Sequence, residues 1–180
     1  MERRLTLHID TATTELDDAL ADVAARTFPL ACPPSSTPED IDAFIAENLS
    51  PDRFAEYLTD PDRTVLAARR DGRILGYAMT VQGVPDDADV QRAVPLRPAV
   101  ELSKMYVLPD CHGAGVSAAL MDAVVRYASA QNAACVWLGV NQQNRRAQRF
   151  YGKHGFEVAG TKTFHLGAEV EHDYVMVRPA

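Results

Sequence analysis

A chain of 180 residues has the length of one ordinary domain, the usual scale being about 150 residues per domain. Its 18 Lys and Arg against 25 Asp and Glu give a net charge of −7, the wrong sign for a general binder of nucleic-acid backbone. With 47% hydrophobic and 24% charged residues, the composition is that of a folded globular protein and excludes disorder for most of the chain.

Met1–Arg4 lead into Leu5–Asp10, which alternates rather than forming the apolar core of a signal peptide. No apolar run reaches the roughly 18 residues that a membrane span needs, so a cytoplasmic protein with no membrane role is expected. Thr14–Asp17 resembles a capping box, and Leu16, Leu20, Val23 and Ala24 recur at helical spacing, predicting a first helix over about 14–27. Pro29, Pro33, Pro34 and Pro38 then mark a loop. Thr37-Pro38-Glu39-Asp40 caps a second helix carrying Ile41, Phe44, Ile45 and Leu49, and Ser50-Pro51-Asp52 restarts the same grammar for Phe54, Tyr57 and Leu58.

Thr64–Ala68 and Arg73–Gln82 read as strands joined in a hairpin through Arg70-Asp71-Gly72, Asp-Gly being a strong hairpin signal. Gly83–Pro98, rich in Asp and Pro, is expected to be a surface loop. Val100–Leu108 is a strand ended by Pro109-Asp110. A helix follows over about 118–131, and Cys135–Val140 is an apolar strand. Asn144 caps a helix that runs to about His154 and stops at Gly155, and Phe156–Leu166 with Val170–Arg178 form a last hairpin around Gly167-Ala168.

The segment His112-Gly113-Ala114-Gly115-Val116-Ser117, continuing into Ala118, follows a strand and opens a helix. Unpaired amides and the positive helix end there suit a phosphate or pyrophosphate, though a glycine pair also occurs in ordinary tight turns. Cys32, Cys111 and Cys135 are far apart and odd in number, which fits reduced thiols. His8, His112, His154, His165 and His172 show no metal-ligand spacing, so no metal is expected. Cys111 without a placed partner reads as a bystander, and His165 and His172 as exposed hairpin residues.

Read together with Asn144, Ala147, Phe150, Tyr151, Lys153, Gly155 and Phe156, this loop resembles the GNAT superfamily of N-acetyltransferases. The likeness rests on the Gln/Arg-x-x-Gly-x-Gly/Ala loop and the Asn-x-x-Ala-x-x-Phe-Tyr-x-Lys-x-Gly-Phe helix, and covers about residues 64–178 well. Two positions depart from the pattern: His112 stands where Gln or Arg is usual, and Ser117 where Gly or Ala is usual. His112 retains a ring N–H, and Ser117 a backbone amide and a hydroxyl. Trp137–Asn144, Gly160–Gly167, Asp173, Thr27-Phe28 and Thr37–Asp40 are similar, less specifically, to the bacterial spermidine/spermine N-acetyltransferase branch of PaiA type.

The resemblance implies a single domain over 1–180, an α/β fold whose mixed, mostly antiparallel sheet is flanked by helices and splays centrally into a cofactor groove. It implies acetyl-CoA as cosubstrate, its pyrophosphate on His112–Ala118 and its pantetheine arm along Met105-Tyr106-Val107, with Asn144 near the pantetheine amides. It also implies two catalytic roles. Glu101 matches the position of a general base, a glutamate on the next strand being replaced by Gly139; a solvated or merely cation-binding carboxylate is the alternative. Tyr151 matches the phenol that protonates the leaving thiolate, with a core aromatic as the alternative. The implied function is direct acetyl transfer to a primary amine of a small molecule such as a polyamine, which the negative charge suits. Acetylation of a protein N-terminus or lysine, and a non-catalytic acyl-CoA-binding module, remain open at this level, as does the oligomeric state, a homodimer included.

Overall fold

The computed structural model describes residues 6–112 and 115–180. Seven strands, His8–Thr11 (β1), Arg63–Arg70 (β2), Arg73–Gln82 (β3), Ala99–Val107 (β4), Cys135–Asn141 (β5), Glu157–Leu166 (β6) and Glu169–Pro179 (β7), form one sheet in the order β1-β2-β3-β4-β5-β7-β6. Every neighbouring pair is antiparallel except β4 and β5. The flanking helices are Asp17–Ala31 (α1), Pro38–Asn48 (α2), Pro51–Thr59 (α3), Ala88–Ala93 (α4), Val116–Ala130 (α5) and Arg145–Lys153 (α6). None of the described helices is long and apolar enough to cross a membrane. The mixed, mostly antiparallel α/β fold expected from the sequence is the one observed.

Helices cover both faces of the central strands, which is why β3 is buried almost end to end instead of alternating. On one face Tyr77 packs edge-on to Phe54 of α3, ring centroids 5.6 Å apart. Tyr127 of α5 reaches the other face, its hydroxyl meeting Thr64 at 2.9 Å and Gln82 at 3.3 Å. The β2–β3 hairpin turns through Asp71 and Gly72, both at positive φ (53° and 74°), the backbone that a two-residue type I′ turn requires.

The caps on α2 and α3 form as read: Thr37 accepts from the Asp40 amide and Ser50 from the Arg53 amide, each at 3.2 Å. The first helix differs. Thr14–Leu16 is a short 3-10 turn with no side-chain cap, and α1 runs through Pro29 to Ala31, beyond the expected end at about 27. Proline removes one amide donor from a helix, but Phe28 is buried and stacks on Phe44 of α2 at 4.5 Å, so tertiary packing holds the last turn.

Gly83–Pro98 is not an unstructured surface loop. Asp87 accepts from the amides of Asp89 and Val90 and so caps α4, and Val90, Ala93 and Val94 are buried in a small second core with Trp137 and Val175. The Trp137 indole N–H donates to the Gly83 carbonyl at 3.1 Å, tying the segment to β5. Three short apolar residues among charges give too weak a period to read, yet they suffice once Trp137 supplies a surface to bury them.

Candidate active site

The parallel pairing of β4 and β5 lasts only from Ala99 opposite Cys135 to Glu101 opposite Trp137. Just beyond, Met79 of β3 stands opposite Lys104 and Thr80 opposite Leu102, so Ser103 is an extra, bulged residue of β4. A bulge bends its strand and increases local twist, and here β4 and β5 part company. The opening is a groove of about 760 Å³ between the two strands. From Leu102 onward β4 keeps its ladder to β3 while its other edge has lost β5, leaving backbone donors and acceptors facing the groove. Met105, Tyr106 and Val107 line that edge, where the sequence reading puts them.

One end of the groove is the start of α5. His112, Gly115, Ser117 and Ala118 line it, whereas Val116 turns its side chain into the core at 1% exposure and offers only its backbone. Gly113 and Ala114 lie outside the described residues. Gly115 adopts φ +79° immediately before the helix, a left-handed conformation that glycine takes without penalty, and the first-turn amides beyond it have no intrahelical partner. His112 spends its ring inward, since the Val107 carbonyl at 3.0 Å can only accept and Nε2 must donate to it. Its Nδ1 then accepts from the Arg146 guanidinium at 3.1 Å. The cation at this end of the groove is therefore Arg146 of α6, which the motif reading passed over as an unspecified letter between Asn144 and Ala147. Asn144 caps α6 by accepting from the Ala147 amide at 3.1 Å and lines the groove as well.

Glu101 and Tyr151 line the groove as well. Glu101 also lines a second recess of about 440 Å³, as do Ser103 and Lys104. Burial pushes the Glu101 carboxyl up, and the nearby charges of Lys162, Lys104 and Arg63 only partly oppose it. Burial brings the Lys104 ammonium down to about 8. The Tyr151 phenol, buried among apolar neighbours, is pushed up to about 12 and has no hydrogen-bond partner among the described residues, so it remains protonated at neutral pH.

The other end is walled by the β6–β7 hairpin and by α1 and α2, with Phe164 edge-on to Phe44 at 5.6 Å. Lys162 and Asp173 are direct cross-strand partners and form an ion pair at 3.3 Å, 19% and 10% exposed. Burial still raises the Asp173 carboxyl, outweighing the lowering effect of Lys162. Gly139 explains how Lys162 reaches this place: a Cβ at position 139 would stand 2.4 Å from Lys162 Cε and 3.3 Å from Asp173 Oδ2. Glu171, two residues before Asp173 on the same face of β7, also lines the groove. The sequence reading missed Lys104, Lys162 and Glu171. The alternation of Lys162, Phe164 and Leu166 with Glu171 and Asp173 marks one shared face, but only the register says that this face looks into the groove.

Cys32 lines the groove as a thiol held at about 11, first by burial and then by the Glu171 charge. Cys111 is buried and does not line it, and His165 and His172 are exposed.

The sequence pattern of the Acetyltransferase (GNAT) family matches residues 20–156. An uncharacterized N-acetyltransferase of Mycobacterium tuberculosis (strain H37Rv) is 60% identical over 161 residues, covering 89% of this chain and 96% of that protein. Among solved structures, the PaiA N-acetyltransferase of Thermoplasma acidophilum in complex with coenzyme A superimposes with a TM-score of 0.77 at 18% identity, over 98% of this chain and all (100%) of that one. The ribosomal-protein-S18-alanine N-acetyltransferase of Escherichia coli does so with a TM-score of 0.68 at 19% identity, over 97% and 94%. Likeness at that level of identity is a likeness of fold.

Proposed function

The chain belongs to the acetyltransferase (GNAT) family, whose members use acetyl-CoA, and we propose that it transfers the acetyl group directly to the primary amine of a small polycation such as a polyamine. One observation carries the reading: a single groove joins the start of α5 and Arg146 to a half-buried carboxylate, Glu101, and a half-buried phenol, Tyr151. The donor chemistry fits the cosubstrate. First-turn amides of α5 and the Arg146 guanidinium suit a pyrophosphate, and the unpaired edge of Met105–Val107 suits the amides of a pantetheine arm, as a sheet edge suits an added strand. Asn144 stands beside that path.

Bound there, acetyl-CoA supplies a thioester carbonyl and a thiolate leaving group. The acceptor must arrive as, or become, a free amine, and at pH 7 only about one alkylamine in a few thousand is neutral. Glu101 takes that proton, directly or through a water; burial, by raising its pKa, makes it a stronger base than a solvated carboxylate. The Tyr151 hydroxyl gives a proton to the departing sulfur, and burial keeps that proton in place until it is needed.

The net charge of −7 and the PaiA-type likeness of Trp137–Asn144 and Gly160–Gly167 support a polyamine as the acceptor. The test is an acceptor panel with acetyl-CoA, reading free thiol: spermidine and spermine are expected to show the highest kcat/KM against amino acids, amino sugars and peptides with free N-termini. Good turnover of a peptide or amino acid with none of a polyamine would refute the polyamine, and no thiol release with any amine would refute the amine acceptor altogether.

A further inference from the structure

Glu171 is a groove carboxylate that the mechanism above leaves unused, and it has no ion-pair partner among the described residues. Its side chain is 8% exposed and lines the groove. Asp173 has Lys162 at 3.3 Å, and Glu101 is within the electrostatic reach of Lys162 and Lys104. Glu171 makes no ion pair among the described residues, and its one hydrogen bond is a long 3.5 Å contact from Asn141 Nδ2 to Oε2. The Cys32 thiol, just past the end of α1, is kept protonated in part by the Glu171 charge and brings no positive charge. A buried carboxylate left in this state is costly to the fold unless a cation reaches it.

The groove offers that cation a path. Glu101, Glu171 and Asp173 stand against Lys104 and Lys162 along the acceptor end, an excess of one negative charge. Between them the wall is apolar, with Phe28, Phe44, Phe164 and Leu166, which suits methylenes and not a second charged group. The geometry points to Glu171 as the anchor of a second ammonium on the acceptor, so that the substrate class is the aliphatic diamines and longer polyamines: one amine gives up its proton at Glu101 and reacts, while the other stays charged at Glu171. This rests on the reading that an amine is acetylated in this groove, and it adds that one amine is not enough.

The probes are n-butylamine, 1,4-diaminobutane and spermidine, each titrated by calorimetry into the CoA-loaded protein, wild type and two variants. Wild type is expected to bind 1,4-diaminobutane at least about tenfold more tightly than n-butylamine, a difference of about 1.4 kcal/mol. E171Q should erase that preference, and E171D, which keeps the charge, should retain part of it. E171Q should also melt no lower than wild type without ligand, since it removes an uncompensated buried charge rather than a supporting contact. Equal binding of the monoamine and the diamine by wild type overturns the inference, as does an E171Q protein that keeps the preference or melts several degrees lower. In those cases thiol release with monoamines still upholds acetyl transfer to amines; silence of every amine in the thiol assay removes that reading, and this inference with it.

Discussion

Tyr151 owes its chemistry to where burial leaves it. A phenol held at about 12 cannot ionise at neutral pH, so it acts as a proton donor or as inert bulk, and replacing it with phenylalanine separates the two. Tyr151→Phe removes one hydroxyl while keeping the ring that packs on Phe150 and Phe156 at centroid distances of 5.6 and 5.9 Å. We expect kcat to fall by roughly 10- to 1,000-fold with little change in acetyl-CoA affinity; steady-state kinetics beside a direct binding titration decide it, and an unchanged kcat would make Tyr151 a packing residue. Tyr151 and the Asn144 cap were legible because the helix motif fixes both residue type and spacing. Arg146 was not, because its role depends on a histidine 34 positions away in the chain, and no local spacing carries that information.

Among the elements, β5 and β6 share a device that sets the shape of the hairpin end of the groove. Position 139 has no side chain, and the Lys162 stem crosses in the space a Cβ would fill. Gly139→Ala forces a shift, and the atom in the way is near the free end of a flexible side chain, so the sheet survives while Lys162 leaves Asp173. The melting temperature is therefore expected to fall by only a few degrees, about 2–4 °C for each kcal/mol lost at this size. KM for the amine should change several-fold while KM for acetyl-CoA stays near its original value. A change confined to acetyl-CoA would show that the Lys162–Asp173 pair does not face the acceptor. The splay that opens the groove is likewise an element property: Ser103 interrupts the β3–β4 register, and nothing in the run Ala99–Val107 announces which residue is the bulged one.

For the whole molecule, a net charge of −7 attracts small cations from a distance. If the acceptor is a polyamine, kcat/KM for spermidine should fall as ionic strength rises from about 0.01 to about 0.15 M, because the screening length shrinks from roughly 30 to 8 Å. A neutral amine measured in parallel should show little of this dependence. A spermidine kcat/KM indifferent to salt would assign the charge to solubility alone.

The sequence by itself determined the fold class, most of the element boundaries, the glycine at the start of α5 and Glu101 and Tyr151 as the candidates that share one groove, because these rest on local period, caps, glycine placement and a motif whose spacing survives on a single helix. Tertiary structure alone decided that α1 continues past Pro29, that Gly83–Pro98 folds onto Trp137, that His112 turns its ring toward Val107 and to Arg146, and that Lys162, Glu171 and Asp173 line the same groove as Glu101. Each of these depends on partners far apart in the chain, whose contact energies outweigh weak local preferences and leave no trace in the spacing of nearby residues.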